Sequence, residues 1–214
     1  MPVPDPTPIF RFIHVDNLEV LLRREGLHAP NYTPNDDETC RPIHNAEIQE
    51  KRKQRTIPCG SGGVIHDYVP FYFGYLSPML LQLKTGHVAG YNEGQQPLIY
   101  LVSTAQAVDD SGAGFVFSNG HGIAAFTDWY DNLDQLDQVD WDTVYLRYWT
   151  SNIDDMDRKR KKQAEFLIHE QCDWSLIQEI GVMNTQMKTK VERILKQFEA
   201  DLHRPVAVHA EWYY

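Results

Sequence analysis

Lys162-Gln163-Ala164-Glu165-Phe166-Leu167-Ile168 sets one acid inside an apolar, β-prone run, directly behind the cationic block Arg158-Lys159-Arg160-Lys161-Lys162. Alternation along a strand puts Glu165 on one face with Leu167 and opposite Phe166. A carboxylate on a half-buried strand is costly unless paired, so Glu165 is either a member of a structural ion pair or a functional acid. Working outward, residues 9–14, 68–73, 97–102, 114–118, 143–149 and about 206–212 also read as short strands. Pro70 within 68–73 suggests an edge or bulged strand. Asp16 is placed to cap a helix whose Leu18, Leu21 and Leu22 share a face before Gly26 ends it. A charged helix spans about 45–55, and an amphipathic helix capped by Asn184 aligns Met187, Val191, Ile194, Leu195 and Phe198. Short strands, irregular loops and two or three real helices indicate an α+β fold rather than regular βαβ alternation.

The 214 residues, 42% of them hydrophobic and 23% charged, describe one folded domain, 1–214, with a flexible proline-rich leader over 1–8. The net charge of −10 argues against a generic polyanion binder. The apolar stretch 68–83 is broken by Pro70, Gly74 and Pro78, short of the roughly 20 residues of a membrane span. The leader carries Asp5 where a signal peptide needs basic residues, so a cytoplasmic protein is expected. Three separated cysteines suggest neither a disulfide framework nor a C-x-x-C site, and the nine histidines show no metal-ligand spacing, so no metal is expected. Cys59-Gly60-Ser61-Gly62-Gly63 lacks the Lys and helix start of a P-loop and reads as a mobile loop. The acidic stretch 128–142 lacks a calcium-loop pattern and reads as a solvated face.

The aromatic strand 68–73 stands between two basic windows, Lys51-Arg52-Lys53-Gln54-Arg55 and 158–162, which together hold nine of the 20 Lys and Arg residues. Cations neutralise phosphates and aromatic rings stack on bases, as a nucleotide or single-strand site requires. The same features also suit a core strand and a solvated helix face.

Several motifs in fixed order resemble the DarT family of bacterial ADP-ribosyltransferase toxins that modify DNA bases. They are His14-Val15-Asp16-Asn17-Leu18, residues 45–52, Asp67-Tyr68-Val69-Pro70-Phe71-Tyr72-Phe73 with Ser77-Pro78-Met79-Leu80, residues 90–97, Ser118-Asn119-Gly120-His121, residues 162–168 and Tyr213-Tyr214. The resemblance implies an ADP-ribosyltransferase fold, two small packed β-sheets with peripheral helices around an NAD cleft. It further implies NAD as co-substrate, a base in single-stranded DNA as acceptor, and an antitoxin partner, a macrodomain or related hydrolase that removes ADP-ribose. On this alignment Glu165 is the catalytic glutamate and Arg52, with Lys51 one residue away, the essential arginine. Arg11, Ile13, His14, Asn17, Tyr72 and His121 fall at the co-substrate, and Arg55 and Lys161 at nucleic acid.

Two departures mark a divergent branch. The family's His-x-Thr-His first strand is Arg11-Phe12-Ile13-His14 here, and its Arg-Ser-Pro-Met-Leu is Leu76-Ser77-Pro78-Met79-Leu80. Loss of the second cation, with Arg11 to replace it, leans the expected acceptor toward guanine rather than thymine. Alternatives are a non-catalytic nucleic-acid or nucleotide-binding protein with a decayed site, and a transferase acting on RNA or protein.

Overall fold

The computed structural model describes residues 1–151, 153 and 155–214. Its strands are β1 (Pro8–His14), β2 (Gly26–His28), β3 (Tyr68–Tyr72), β4 (Leu98–Thr104), β5 (Phe115–Ser118), β6 (Trp129–Tyr130), β7 (Glu165–His169), β8 (Gln171–Asp173), β9 (Glu179–Val182) and β10 (Val206–Val208). Its helices are α1 (Leu18–Arg23), α2 (Ala46–Gln54), α3 (Pro78–Lys84), α4 (Ala105–Asp110), α5 (Trp141–Val144), α6 (Arg158–Lys161) and α7 (Thr185–Leu195). Eight strands form one sheet in the order β10-β9-β4-β1-β3-β7-β5-β6, and β2 pairs with β8 apart from it.

The centre of that sheet is split. β1 is zipped to β4 from Pro8↔Thr104 to His14↔Leu98, and β3 to β7 from Tyr68↔His169 to Tyr72↔Glu165. Between β1 and β3 there is only Phe10↔Tyr72. Two four-stranded halves therefore meet at one residue pair and diverge beyond it, the α+β arrangement of two small sheets around a cleft.

Pro70 marks the divergence. The sequence predicts an edge or bulged strand here, yet β3 is interior. The Pro70 carbonyl accepts from Arg11 Nη1 at 2.7 Å, so it faces the gap. The N–H and C=O of a strand residue point to the same side, so the donor that proline lacks would also have faced the gap, where no ladder is made.

Side-chain alternation sorts the cores. One face sends Ile9, Ile13, Val69, Phe71, Phe166 and Ile168 into the main core with Leu18, Leu22, Trp141, Val191 and Ile194 of the flanking helices. The other face carries two smaller clusters, one around Phe10, Phe12, Leu80 and Tyr100 and one around Ile57, Ile65, Tyr68 and Leu167.

Asn45, Ser77 and Asn184 cap α2, α3 and α7 through side-chain oxygens. Four expectations need correction. Residues 143–149 are not a strand, because Asp140 Oδ1 accepts from Thr143 N at 3.0 Å and starts α5 instead. The last strand ends at Val208, where a 3₁₀ turn, Ala210–Trp212, follows. Asp16 does not cap the first helical turn; His14 does, its Nδ1 accepting from Asp16 N at 3.2 Å. Gly26 does not end α1 but opens β2, where a Cβ would stand 2.6 Å from the Cys172 carbonyl oxygen, so only glycine lets β8 approach.

Candidate active site

Glu165 is the first residue of β7 and is 1% exposed. Arg52, on α2, brings Nη1 to 2.8 Å from Glu165 Oε2 and 3.1 Å from Oε1. The Gly122 N–H donates to Oε1 at 3.0 Å. Behind the acid, Ser118 Oγ accepts from Glu165 N at 3.2 Å and donates to the Gly120 carbonyl at 2.7 Å, tying the strand to the 119–122 turn. Burial pushes the Glu165 pKa up, but Arg52, His121 and the Gly122 N–H outweigh it and hold the carboxyl below its ordinary value. The alignment ambiguity resolves geometrically: Arg52 is buried against the acid, whereas Lys51 is exposed.

The pair lies on the wall of a cleft of about 880 Å³ between the diverging halves of the sheet. Arg11, Ile13, Asn17, Tyr72 and His121 line it too. Arg11 stands in the split. Burial and the nearby Arg52 charge lower its pKa to about 10, which leaves it cationic at neutral pH. Arg11 Nε and Arg52 Nη2 are both buried without a hydrogen-bond partner. Two partnerless guanidinium donors, with Glu165 paired to Arg52 and Arg11 bonded to the Pro70 carbonyl, fit a ligand that brings its own anionic oxygens, as the diphosphate of a dinucleotide does.

Tyr72 sits beside Glu165 through the β3–β7 register and stacks on Phe12 with ring centroids 6.3 Å apart. Burial raises its pKa, so it stays a neutral phenol. His121 is neutral at pH 7 as well, because burial lowers its pKa more than Glu165 raises it.

Three predicted residues lie outside the cleft lining. His14 is committed to capping, its Nδ1 accepting from Asp16 N at 3.2 Å, and its Nε2 is buried without a hydrogen-bond partner. Arg55 donates from Nη2 to the Ala124 carbonyl at 3.2 Å, and Lys161 is paired with Asp140 and Asp155. Asn17 lines the cleft but spends its amide on Arg41, accepting from its N–H at 2.6 Å and donating to its carbonyl at 3.0 Å. Sequence reasoning missed Gly122, Ser118 and the exposed Lys159 on the cleft rim. Ser118 stood in the 118–121 motif and Lys159 in the basic window without being singled out as site residues, and the signal for Gly122 was the glycine on each side of His121. Among the described residues no three His, Cys, Asp or Glu side chains gather as metal ligands would.

A split sheet with a buried Glu–Arg pair on the wall of a dinucleotide-sized cleft defines an NAD-dependent ADP-ribosyltransferase. The chain belongs to the DarT family: the family model described as "ssDNA thymidine ADP-ribosyltransferase, DarT" matches residues 10–214. A DNA ADP-ribosyl transferase of Thermus sp. strain 2.9 is 41% identical over 211 residues, covering 99% of this chain and 98% of that protein. The structure of Thermus sp. 2.9 DarT in complex with ADP-ribosylated ssDNA superposes with a TM-score of 0.93 at 40% identity, over 100% of this chain and 99% of that one. The same protein in complex with NAD+ gives 0.88 at 37% identity, with all of both chains covered. Thermosipho africanus DarTG in complex with ADP-ribose shares the fold, with a TM-score of 0.76 at 16% identity, over 97% of this chain and 51% of that chain. The alternative of a non-catalytic binding protein is thereby set aside.

Proposed function

We propose that the protein transfers ADP-ribose from NAD to a base of single-stranded DNA, releasing nicotinamide, with Glu165 and Arg52 as catalytic residues. The observation that carries this reading is the ionised, buried Glu165–Arg52 pair beside two partnerless guanidinium donors. Breaking the nicotinamide–ribose bond leaves positive charge on the sugar, as in glycoside cleavage. A buried carboxylate beside that carbon stabilises the charge and accepts the proton that the attacking base nitrogen loses. Arg52 orients the acid through Nη1 and offers Nη2 to the ligand, while Arg11 takes phosphate oxygens from the opposite strand. Tyr72 and Ile13 close the nicotinamide end against water, which limits hydrolysis. His121 and Lys159 face the acceptor. A base within a duplex is out of reach of such a cleft, so the strand enters single or with the base turned out.

For the base, thymine is the first expectation. The family description names thymidine. Leu76, one of the two departures that leaned toward guanine, is 3% exposed inside an apolar cluster and does not line the cleft, so it leaves the acceptor wall unchanged. Arg11 and Ile13 do line it, which makes guanine the second arm of the test. An ADP-ribose-removing antitoxin and a cytoplasmic site of action belong to the same proposal. Support for the antitoxin is the family membership and the DarTG likeness in fold. No helix among the described residues is long and apolar enough to cross a membrane.

Mass analysis of single-base and mixed oligonucleotides treated with NAD, alongside RNA and a protein mixture, tests the whole reading. Adducts confined to thymine-containing DNA support it, and adducts confined to guanine move the base assignment. Labelling of RNA or protein alone overturns the DNA acceptor.

A further inference from the structure

The family resemblance sets Lys161 of the basic block 158–162 at nucleic acid, yet its neighbour Arg160 is turned inward. Its Nε and Nη2 hold Asp157, the closest contact being 2.6 Å, and its Nη1 donates to Asn119 Oδ1 at 2.8 Å and reaches Thr127 Oγ1 at 3.4 Å. Its main-chain carbonyl accepts from the His121 N–H at 3.0 Å. The guanidinium also lies against Gly120, where a Cβ would stand 2.3 Å from Nη1. One side chain thus grips both ends of the 119–127 loop and packs on its turn. Thr127 Oγ1 in turn donates to the His121 carbonyl at 2.8 Å, closing the loop on itself.

In the reading proposed above, this loop carries the acceptor side of the site. Gly122 gives its N–H to Glu165, His121 and Ile123 line the cleft, and Phe126 stands 87% exposed at the tip. We propose that Arg160 is a positioning residue that sets the 119–127 loop for the acceptor strand, acting through Asn119, Thr127 and Gly120 rather than by touching nucleic acid. The assignment rests on the DNA-acceptor reading above.

The experiment measures transfer to a thymine-containing oligonucleotide, varying oligonucleotide and NAD separately, for wild type, Arg160→Ala, Arg160→Lys and Asn119→Ala. In Arg160→Ala the KM for the oligonucleotide rises about tenfold, since small displacements of a positioning element are costly. The KM for NAD stays near wild type. Lysine does not restore the loss, because an ammonium holding Asp157 cannot also span to Asn119, whereas free guanidinium ion restores part of it to Arg160→Ala. Asn119→Ala, which leaves the Asp157 pair in place, shows the same shift with smaller size and decides the matter should Arg160→Ala fail to fold. An unchanged oligonucleotide KM in Arg160→Ala or Asn119→Ala overturns the assignment, as does full rescue by lysine. A wild type that labels no oligonucleotide overturns the acceptor reading itself and this inference with it, a result distinct from a labelling wild type with an indifferent variant.

Discussion

Glu165 is ionised where burial alone would neutralise it, and that tension makes it the residue on which both stability and chemistry turn. Glu165→Gln keeps an oxygen for the Gly122 N–H but removes the charge that balances Arg52. Transfer to oligonucleotide should fall by about 10²–10⁴-fold, the usual worth of a positioned acid–base group, while NAD titration still shows binding. Chemical denaturation should show a loss of about 3–5 kcal/mol for the uncompensated arginine. The pH dependence follows from the depressed carboxyl pKa: the pair's stabilisation is present above the unfolded value of about 4.3 and is lost as pH falls through the lower folded value. Glu165→Gln should lack that acid limb, and a variant curve parallel to wild type below pH 5 would contradict the pairing. At this scale the sequence was legible for Glu165, an acid odd in its apolar strand, while Arg11 came into view only as a departure from the family's first-strand motif. It was not legible for Gly122, which acts through a main-chain N–H that no pattern distinguishes from a turn, and the motif that holds Ser118 did not show what its hydroxyl does.

Among the elements, the segment 33–43 shows how a loop without periodicity is nonetheless built. Arg24 holds Asp36 with two bonds of 2.7 Å, and Asn17 takes both main-chain groups of Arg41. Thr39, Cys40 and Pro42 of this strap line the cleft. Asn17→Ala should therefore raise the KM for NAD several-fold and leave that for the oligonucleotide unchanged, a split readable by steady-state kinetics. Of the six strands of two to four residues, β5 and β10 show in the sequence, whereas β2, β6, β8 and β9 are too short for alternation to mark them. α5 was misread because an aspartate cap outweighed the β-propensity of Thr143, Val144 and Tyr145. Another such linkage is Lys162, 3% exposed and donating to the Val144 carbonyl, which ties the residue after α6 to the last residue of α5. Burial lowers its pKa to about 7. A lysine depressed in the fold binds more protons when unfolded, so stability rises with pH between about 7 and the unfolded value of about 10.4, and below 7 the penalty is complete. Lys162→Met should lose that rise relative to wild type in denaturant midpoints taken at pH 7, 8.5 and 10.

For the whole molecule, a net charge of −10 stands against the polyanionic acceptor proposed above. The sequence places nine of 20 cations in two windows beside Arg52 and Glu165, which suggests brief, salt-sensitive capture of a strand at one cleft. The fold spends most of them internally. Arg52 faces Glu165, Arg55 holds Ala124, Arg160 holds Asp157, Lys161 holds Asp140 and Asp155, and Lys162 is buried. Arg158 lies 4.0 Å from Asp155. Lys51, Lys53 and Lys159 remain exposed, and only Lys159 lines the cleft. Each phosphate neutralised on a single strand contributes about −0.7 to the slope of log affinity against log salt. One to three contacts therefore give a slope between about −0.7 and −2, and Lys159→Ala should make it shallower by about 0.7. Oligonucleotide binding measured between 50 and 300 mM NaCl, on the order of the ionic strengths over which such contacts are lost, separates the two pictures. A slope near −5 would mean that both basic windows bind phosphate together. A shallow one means that affinity comes from the base and the cleft, and that the negative net charge keeps the enzyme from lingering on strands it does not modify.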